Sequence, residues 1–332
     1  MRTLIVAEIG VNHNGKIEIA KKLIDKAKKA GVDYVKFQSF VSSEVVTDYS
    51  QLAEYQKKNK LKSIKQIDLL KKYELSFKSQ KLLFLYCKKK KIKFISTPFD
   101  FQSVEFLKNK ISLFKISSTD IGNLPLLNQI GKLKKKILLS TGMSSLDEIV
   151  ISIDELVKAG TKKKNITVLH CTSSYPSNFS ELNLESIQYL KDKLKLPIGF
   201  SDHSQGIEAS LAATALGATV IEKHFTLNKK MSGPDHSSSL DPLELKNLVI
   251  GVRRIEKSLG NYEKKITKNE IKNKKKLKKS IVALQKIIKG DILSSKNLTT
   301  KRPGNGISPI KWYKILGKKA KKTFLKDEQI KI

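Results

Sequence analysis

Ile198–Gly199–Phe200–Ser201–Asp202–His203 is a short apolar run that turns polar at its end, and Thr219–Val220–Ile221–Glu222–Lys223–His224–Phe225 repeats the pattern. An amphipathic stretch at residues 205–216 separates them. Strand, helix, strand in this order reads as a parallel crossover unit. Residues i and i+2 of a strand share a face, so Ser201 points with His203 and Glu222 with His224. Two imidazoles arriving from successive strand ends could hold one divalent metal and leave coordination positions open for substrate.

The same unit recurs back to the N-terminus. Apolar runs at residues 4–9, 32–40, 92–98, 113–118, 137–141 and 166–172 precede the two histidine strands. Amphipathic segments fall between them, as at 16–30, 144–159 and 182–193, and another follows at 242–259. Eight strand-like runs, each followed by a helix candidate, predict an α/β chain closed as a (β/α)8 TIM barrel over residues 1–260. A doubly wound open sheet is the structural alternative. It normally carries a Gly-rich phosphate turn after the first strand, and Gly10 and Gly15 do not have that spacing. Residues 41–74 form an insertion after the second strand, long enough for a lid or substrate loop.

Past Gly260 the pattern changes. Residues 261–279 are dense in Lys and Asn and read as a linker or exposed helix. Residues 280–332 alternate short apolar runs with turns, a small module expected to lean on the barrel or on a partner subunit.

Composition narrows the function classes. Hydrophobic residues make up 39% and aromatics 7%, which suits a packed globular protein. No window approaches the roughly 18–20 apolar residues of a membrane span, and no leader precedes the first strand, so a cytoplasmic location is expected. Two isolated cysteines, Cys87 and Cys171, read as buried reduced thiols. The net charge of +34 raises nucleic acid as a partner, but arginine occurs only at positions 2, 253, 254 and 302. Scattered lysine reads as a solvated surface and argues against nucleic acid. Residues 261–332 carry 21 Lys and 1 Arg against 5 acids, a net +17, so a polyanion-binding module there is the reading from a different class.

In a barrel of this class the active site forms at the C-terminal ends of the strands. Those ends supply Glu8; Lys36 and Gln38; Thr97; Lys115 and Ser118; Ser140; Thr172 and Tyr175; Ser201 and His203; Glu222 and His224. Polar groups in apolar strands are costly to bury unpaired, which marks them as a site. The ammonium and hydroxyl groups suit a phosphate or carboxylate. Glu8 and Asp120 can accept from sugar hydroxyls or move protons. His13 lies on the first loop and could approach the site, His170 reads as a satisfied core residue, and His236 could be either. Lys36 and Lys115 also allow a Schiff-base aldolase or lyase, but that chemistry leaves His203 and His224 without a role.

The motifs in their order resemble the bacterial sialic acid (N-acetylneuraminate) synthases. They include Ala7–Glu8–Ile9–Gly10, Lys36–Phe37–Gln38, Ser96–Thr97–Pro98–Phe99, Phe114–Lys115–Ile116 and Ser140–Thr141–Gly142–Met143. They continue through Tyr175–Pro176, Ser201–Asp202–His203, Glu222–Lys223–His224–Phe225, Gly233–Pro234–Asp235 and Lys301–Arg302–Pro303–Gly304–Asn305–Gly306. The C-terminal module resembles that family's antifreeze-like (SAF) domain.

The resemblance implies metal-dependent condensation of phosphoenolpyruvate with N-acetylmannosamine, with His203 and His224 binding Mn2+ or Mg2+. It implies that Lys36, Thr97, Lys115, Ser118, Ser140 and Ser201 hold phosphoenolpyruvate, and that Glu8, Gln38, Tyr175 and Asp235 contact the sugar. Glu8, Lys36, Lys115 and Asp120 are then the catalytic set. It further implies a domain-swapped homodimer in which Arg302 meets the sugar's N-acetyl group on the partner's barrel. Close relatives make legionaminic or pseudaminic acid from diacetamido hexoses, and this is the alternative activity. Two departures bear on the sugar: Ser118–Thr119–Asp120 stands where the family often has Ser-Gly-Glu, and Ser173–Ser174 replaces larger or amide-bearing residues.

Overall fold

The computed structural model describes residues 2–52 and 65–332. The strands are β1 (Leu4–Gly10), β2 (Tyr34–Ser39), β3 (Lys93–Pro98), β4 (Leu113–Ile116), β5 (Lys136–Ser140), β6 (Ile166–Cys171), β7 (Ile198–Asp202) and β8 (Val220–His224). They form one parallel sheet in the order β3-β2-β1-β8-β7-β6-β5-β4. With β3 and β4 side by side, the sheet is a nearly closed barrel. Helices such as Ile17–Ala30, Leu146–Lys158, Glu208–Ala215 and Pro242–Ser258 cover it.

Strand alternation explains how one short strand serves two environments. Outward residues such as Val35, Phe37, Phe114, Leu139, Val168 and Phe200 pack under the helices in the main core. Inward residues form layers along the barrel axis. Val6, Ile95, Leu113, Leu138, Leu169 and Val220 make a dry plug. Gly199 belongs to this layer, where an added Cβ would sit 2.6 Å from Leu169 Cδ2 and 2.7 Å from the Val220 carbonyl oxygen. Two residues further along each strand the inward side chains become polar, so the plug is the floor of the site.

The fourth strand ends earlier than the sequence pattern predicts. β4 stops at Ile116, and Ser118–Asp120 forms a 3-10 turn in which the Ser117 hydroxyl accepts from the Thr119 amide. Such local side-chain bonding competes with the strand ladder. Within the insertion, Ser42–Val45 and Gln66–Tyr73 are helical, and Leu52, Leu69 and Tyr73 pack with Val11 and Phe40. The rest of that expected lid or substrate loop, residues 53–64, lies outside the described residues.

The chain divides into two compact units, residues 1–260 and 261–332. In the second unit, Lys268–Leu277 of the expected linker is a solvent-exposed helix, opened by a reciprocal Thr267–Glu270 cap. β9 (Ser280–Ala283) and β10 (Leu298–Lys301) pair antiparallel over a small core that includes Ile281, Leu298 and Phe324. Among the described residues no helix is long and apolar enough to cross a membrane.

Candidate active site

One inward residue from each strand lines a cavity of about 930 Å³ above the plug: Glu8, Lys36, Thr97, Lys115, Ser140, Cys171, Ser201 and Glu222. Gln38, His203 and His224 line it one step further out, together with Ser118 and Tyr175. Eleven of the sequence-predicted strand-end residues, Ser118 of the turn after β4 included, are thus brought together, and Tyr175 joins them from the loop after β6.

Four buried charges organise the floor. Lys36 Nζ lies 3.1 Å from Glu8 Oε1 and 3.5 Å from Glu222 Oε1, and it donates to Thr97 Oγ1 at 3.1 Å. Lys115 Nζ lies 3.6 Å from Glu222 Oε1, which also accepts from Ser201 Oγ at 3.1 Å. Gln38 Nε2 donates to Glu8 Oε1 at 3.3 Å. Burial pushes the Glu8 carboxyl up to about 7, against the pull of Lys36. Burial also works against the charge of Lys36, but Glu222 and Glu8 outweigh it and hold the ammonium above its ordinary value. At Lys115 burial wins and lowers the value despite Glu222. Glu222 is opposed by burial but held below the usual carboxylate range by Lys115 and Lys36.

Several buried acceptors and donors have no hydrogen-bond partner among the described residues: Glu8 Oε2, Glu222 Oε2, Ser140 Oγ, Asp120 Oδ2 and His224 Nδ1. Unpaired buried polar atoms are costly, and a cluster of them round one cavity fits a polar, hydrogen-bonding ligand.

The two strand-end histidines meet as the sequence predicts, with ring centroids 5.5 Å apart. Tyr175 lies against both, 4.2 Å from the His203 ring and 5.7 Å from that of His224. His203 Nδ1 is 2.9 Å from the Thr172 carbonyl, an acceptor only, which assigns the proton to Nδ1 and leaves the Nε2 lone pair for a ligand. Burial lowers the His203 value, but Cys171 and the Thr172 carbonyl outweigh it and hold it above the ordinary imidazole; a cation at Nε2 would compete with a second proton there. Burial, then the charge of His203, pushes His224 well below its ordinary value, so it is a neutral imidazole. Two such donors, one with an orphaned nitrogen, fit a divalent cation. Among the described residues no group of three or more His, Cys, Asp or Glu is set for a metal.

The remaining predicted residues lie elsewhere. Asp120 is buried beside the cavity wall, accepting from Asn123 Nδ2 at 3.1 Å, with its carboxyl pushed up to about 6 by burial. Asp235 lies behind His224, with Oδ2 3.9 Å from His224 Nδ1, and burial pushes it to about 6 as well. Arg302 belongs to the second unit, at the end of β10. His13 accepts from the Gly15 amide, and His236 bonds Thr226 and Asn14, so both do structural work. His170 bonds the Leu182 carbonyl at 2.7 Å, as a satisfied core residue does.

Two residues gain roles that the sequence did not assign. Glu222 bridges both lysines, and its signal was its same-face spacing to His224. Cys171 lines the cavity, with Sγ 3.7 Å from His203 Nδ1. Its inward position follows from Leu169, two residues earlier in the plug.

The NeuB family model matches residues 23–264, and the SAF domain model matches residues 278–332. The chain belongs to the NeuB family. As a NeuB-family enzyme it is 51% identical over 331 residues to the N,N'-diacetyllegionaminic acid synthase of Campylobacter jejuni, covering 99% of both chains. It is 37% identical to the N-acetylneuraminate-9-phosphate synthase of Homo sapiens, covering 98% of this chain and 90% of that one. The crystal structure of the N-acetylneuraminic acid synthetase of Leptospira borgpetersenii superposes with a TM-score of 0.72 at 35% identity, over 82% of this chain and 90% of that one.

Proposed function

We propose that this enzyme condenses phosphoenolpyruvate with a diacetamido hexose to give N,N'-diacetyllegionaminic acid and phosphate. The observation that carries the choice of sugar is the 51% identity to the Campylobacter jejuni enzyme across 99% of both chains, against 37% to the human N-acetylneuraminate-9-phosphate synthase. This replaces N-acetylmannosamine, the sugar of the leading sequence reading, with that reading's alternative.

The floor of the cavity suits phosphoenolpyruvate. Lys36 and Lys115 offset the charge of phosphate and carboxylate, and the hydroxyls of Thr97, Ser118, Ser140 and Ser201 supply short-range donors. Glu8, Gln38 and Tyr175 form the sugar side, and Asp235, which does not line the cavity, stands against His224. C3 of phosphoenolpyruvate bonds to the aldehyde carbon of the open-chain sugar. Water adds at C2, and the C2–O bond to phosphate breaks, so one water is consumed and one phosphate released. The aldehyde oxygen gains a proton, and Glu8, with a value of about 7, holds one in reach at neutral pH. Mn2+ or Mg2+ on His203 and His224 supplies Lewis-acid polarisation of the aldehyde when bound. Exclusion of water below the reacting atoms is the work of the plug. Arg302 binding an N-acyl oxygen from a domain-swapped partner is part of the same proposal.

The experiment is phosphate release with phosphoenolpyruvate, Mn2+ and each candidate sugar. Turnover of diacetamido hexoses at least tenfold better in kcat/KM than N-acetylmannosamine supports the proposal. The reverse preference returns the enzyme to N-acetylneuraminate synthesis.

A further inference from the structure

The outward faces of the barrel strands are largely apolar, with Ser39, Ser96 and His170 as polar members, and the acid–base pair on them stands behind the two histidines. Asp202 of β7 and Lys223 of β8 are register partners across the sheet. Lys223 Nζ lies 2.8 Å from Asp202 Oδ2, with the side chains 1% and 0% exposed. The equivalent positions on the other strands, one residue beyond the cavity residue, hold Ile9, Phe37, Pro98, Ile116, Thr141 and Thr172, none of them charged. An apolar pair would fit this layer, and buried ion pairs replaced by well-packed apolar groups often leave stability unchanged or raised. Packing therefore does not explain the charges.

Their hydrogen bonds do. Asp202 Oδ1 accepts from the Ser204 amide at 2.8 Å and from Ser204 Oγ at 2.6 Å. Its Oδ2 accepts from Ser210 Oγ at 2.6 Å, on the helix Glu208–Ala215. Lys223 Nζ donates to the Ser204 carbonyl at 2.6 Å. Residues 202 and 204, on either side of His203, are thus both tied to residue 223, which precedes His224. Neither Asp202 nor Lys223 lines the cavity.

We propose that the Asp202–Lys223 pair is a positioning device that sets the relation between His203 and His224 for a shared divalent cation. It rests on the reading that those histidines bind the metal. Without the cross-strand tie, β7 and β8 can slip or twist at their ends, and the two donors lose their common target. Supporting groups around metal ligands of this kind change affinity by about 10–100-fold when removed.

The test uses the full chain stripped of metal and titrated with Mn2+, reading free Mn2+ by electron paramagnetic resonance, with thermal unfolding in EDTA alongside. In the double variant Asp202→Leu, Lys223→Met the expected result is about a 10–100-fold weaker Kd for Mn2+, with a cooperative transition retained in EDTA. Ser210→Ala, which removes one bond to Asp202 and leaves the pair intact, is expected to weaken Mn2+ several-fold, and it decides the matter if the double variant does not fold. Affinity within twofold of the parent in the folded variants overturns the proposal and leaves the pair a packing feature. If His203→Ala binds Mn2+ as well as the parent, the metal reading itself has failed, a signal distinct from failure of the pair.

Discussion

Glu8 and Lys36 meet at 3.1 Å between Oε1 and Nζ, on adjacent strands and with side chains only 2% and 5% exposed. The second Glu8 oxygen has no partner among the described residues. The contact keeps one acid oxygen tied and the other turned to whatever enters the cavity. Burial outweighs the lysine and carries Glu8 to about 7, so below that value it is the neutral acid and above it the carboxylate.

A proton-donating Glu8 gives kcat/KM a descending alkaline limb through about pH 7. Replacing it by Gln removes that limb and lowers kcat by roughly 10²–10⁴-fold. A pH profile of phosphate release in parent and Glu8→Gln checks both, and an unchanged alkaline limb removes Glu8 from proton transfer.

Lys115 is predicted to act through substrate charge, not as an amine nucleophile. Lys115→Met should raise KM for phosphoenolpyruvate about tenfold or more, since one lost ionic contact in a dry site corresponds to about 1.5–3 kcal/mol. Borohydride with pyruvate should leave activity intact. Loss of activity with label on Lys115 or Lys36 would bring back the Schiff-base mechanism.

Asp120 carries a stability prediction. Its folded value of about 6, against an ordinary 3.8, means that the folded state binds the proton more tightly than the unfolded chain. Stability from this group is present at low pH and is lost as pH rises through about 6. Asp120→Asn, which does not titrate, should therefore gain stability above pH 6, up to about 3 kcal/mol, and gain nothing near pH 3. Thermal unfolding at the two pH values checks the sign.

Much of this site is visible in the sequence because strand ends are where period-2 alternation meets function. Val6 and Glu8, Ile95 and Thr97, or Leu138 and Ser140 each put an apolar plug residue two places before a polar site residue, and the spacing alone assigns the face. Distances between side chains are set by strand register, which no local pattern contains; hence the bridging role of Glu222 appears only once β8 lies between β1 and β7. Asp120 shows the other limit. The chain leaves β4 at Ser117 through a local hydroxyl–amide bond, and Asp120, buried in the following turn, does not line the cavity. Lys223 is one lysine among many in a lysine-rich chain, and no composition argument marks it as the one that is 1% exposed.

Metal removal should silence the enzyme without unfolding the barrel. Activity is expected to vanish in excess EDTA and return with Mn2+, while the thermal transition moves only by the linkage of bound metal. Full activity in EDTA would detach His203 and His224 from the chemistry.

The most direct measurement is phosphate release from phosphoenolpyruvate with Mn2+, comparing a diacetamido hexose, N-acetylmannosamine and no sugar. The predicted result is sugar-dependent release that is fastest with the diacetamido hexose. Release without sugar, or none with any amino sugar, would contradict it.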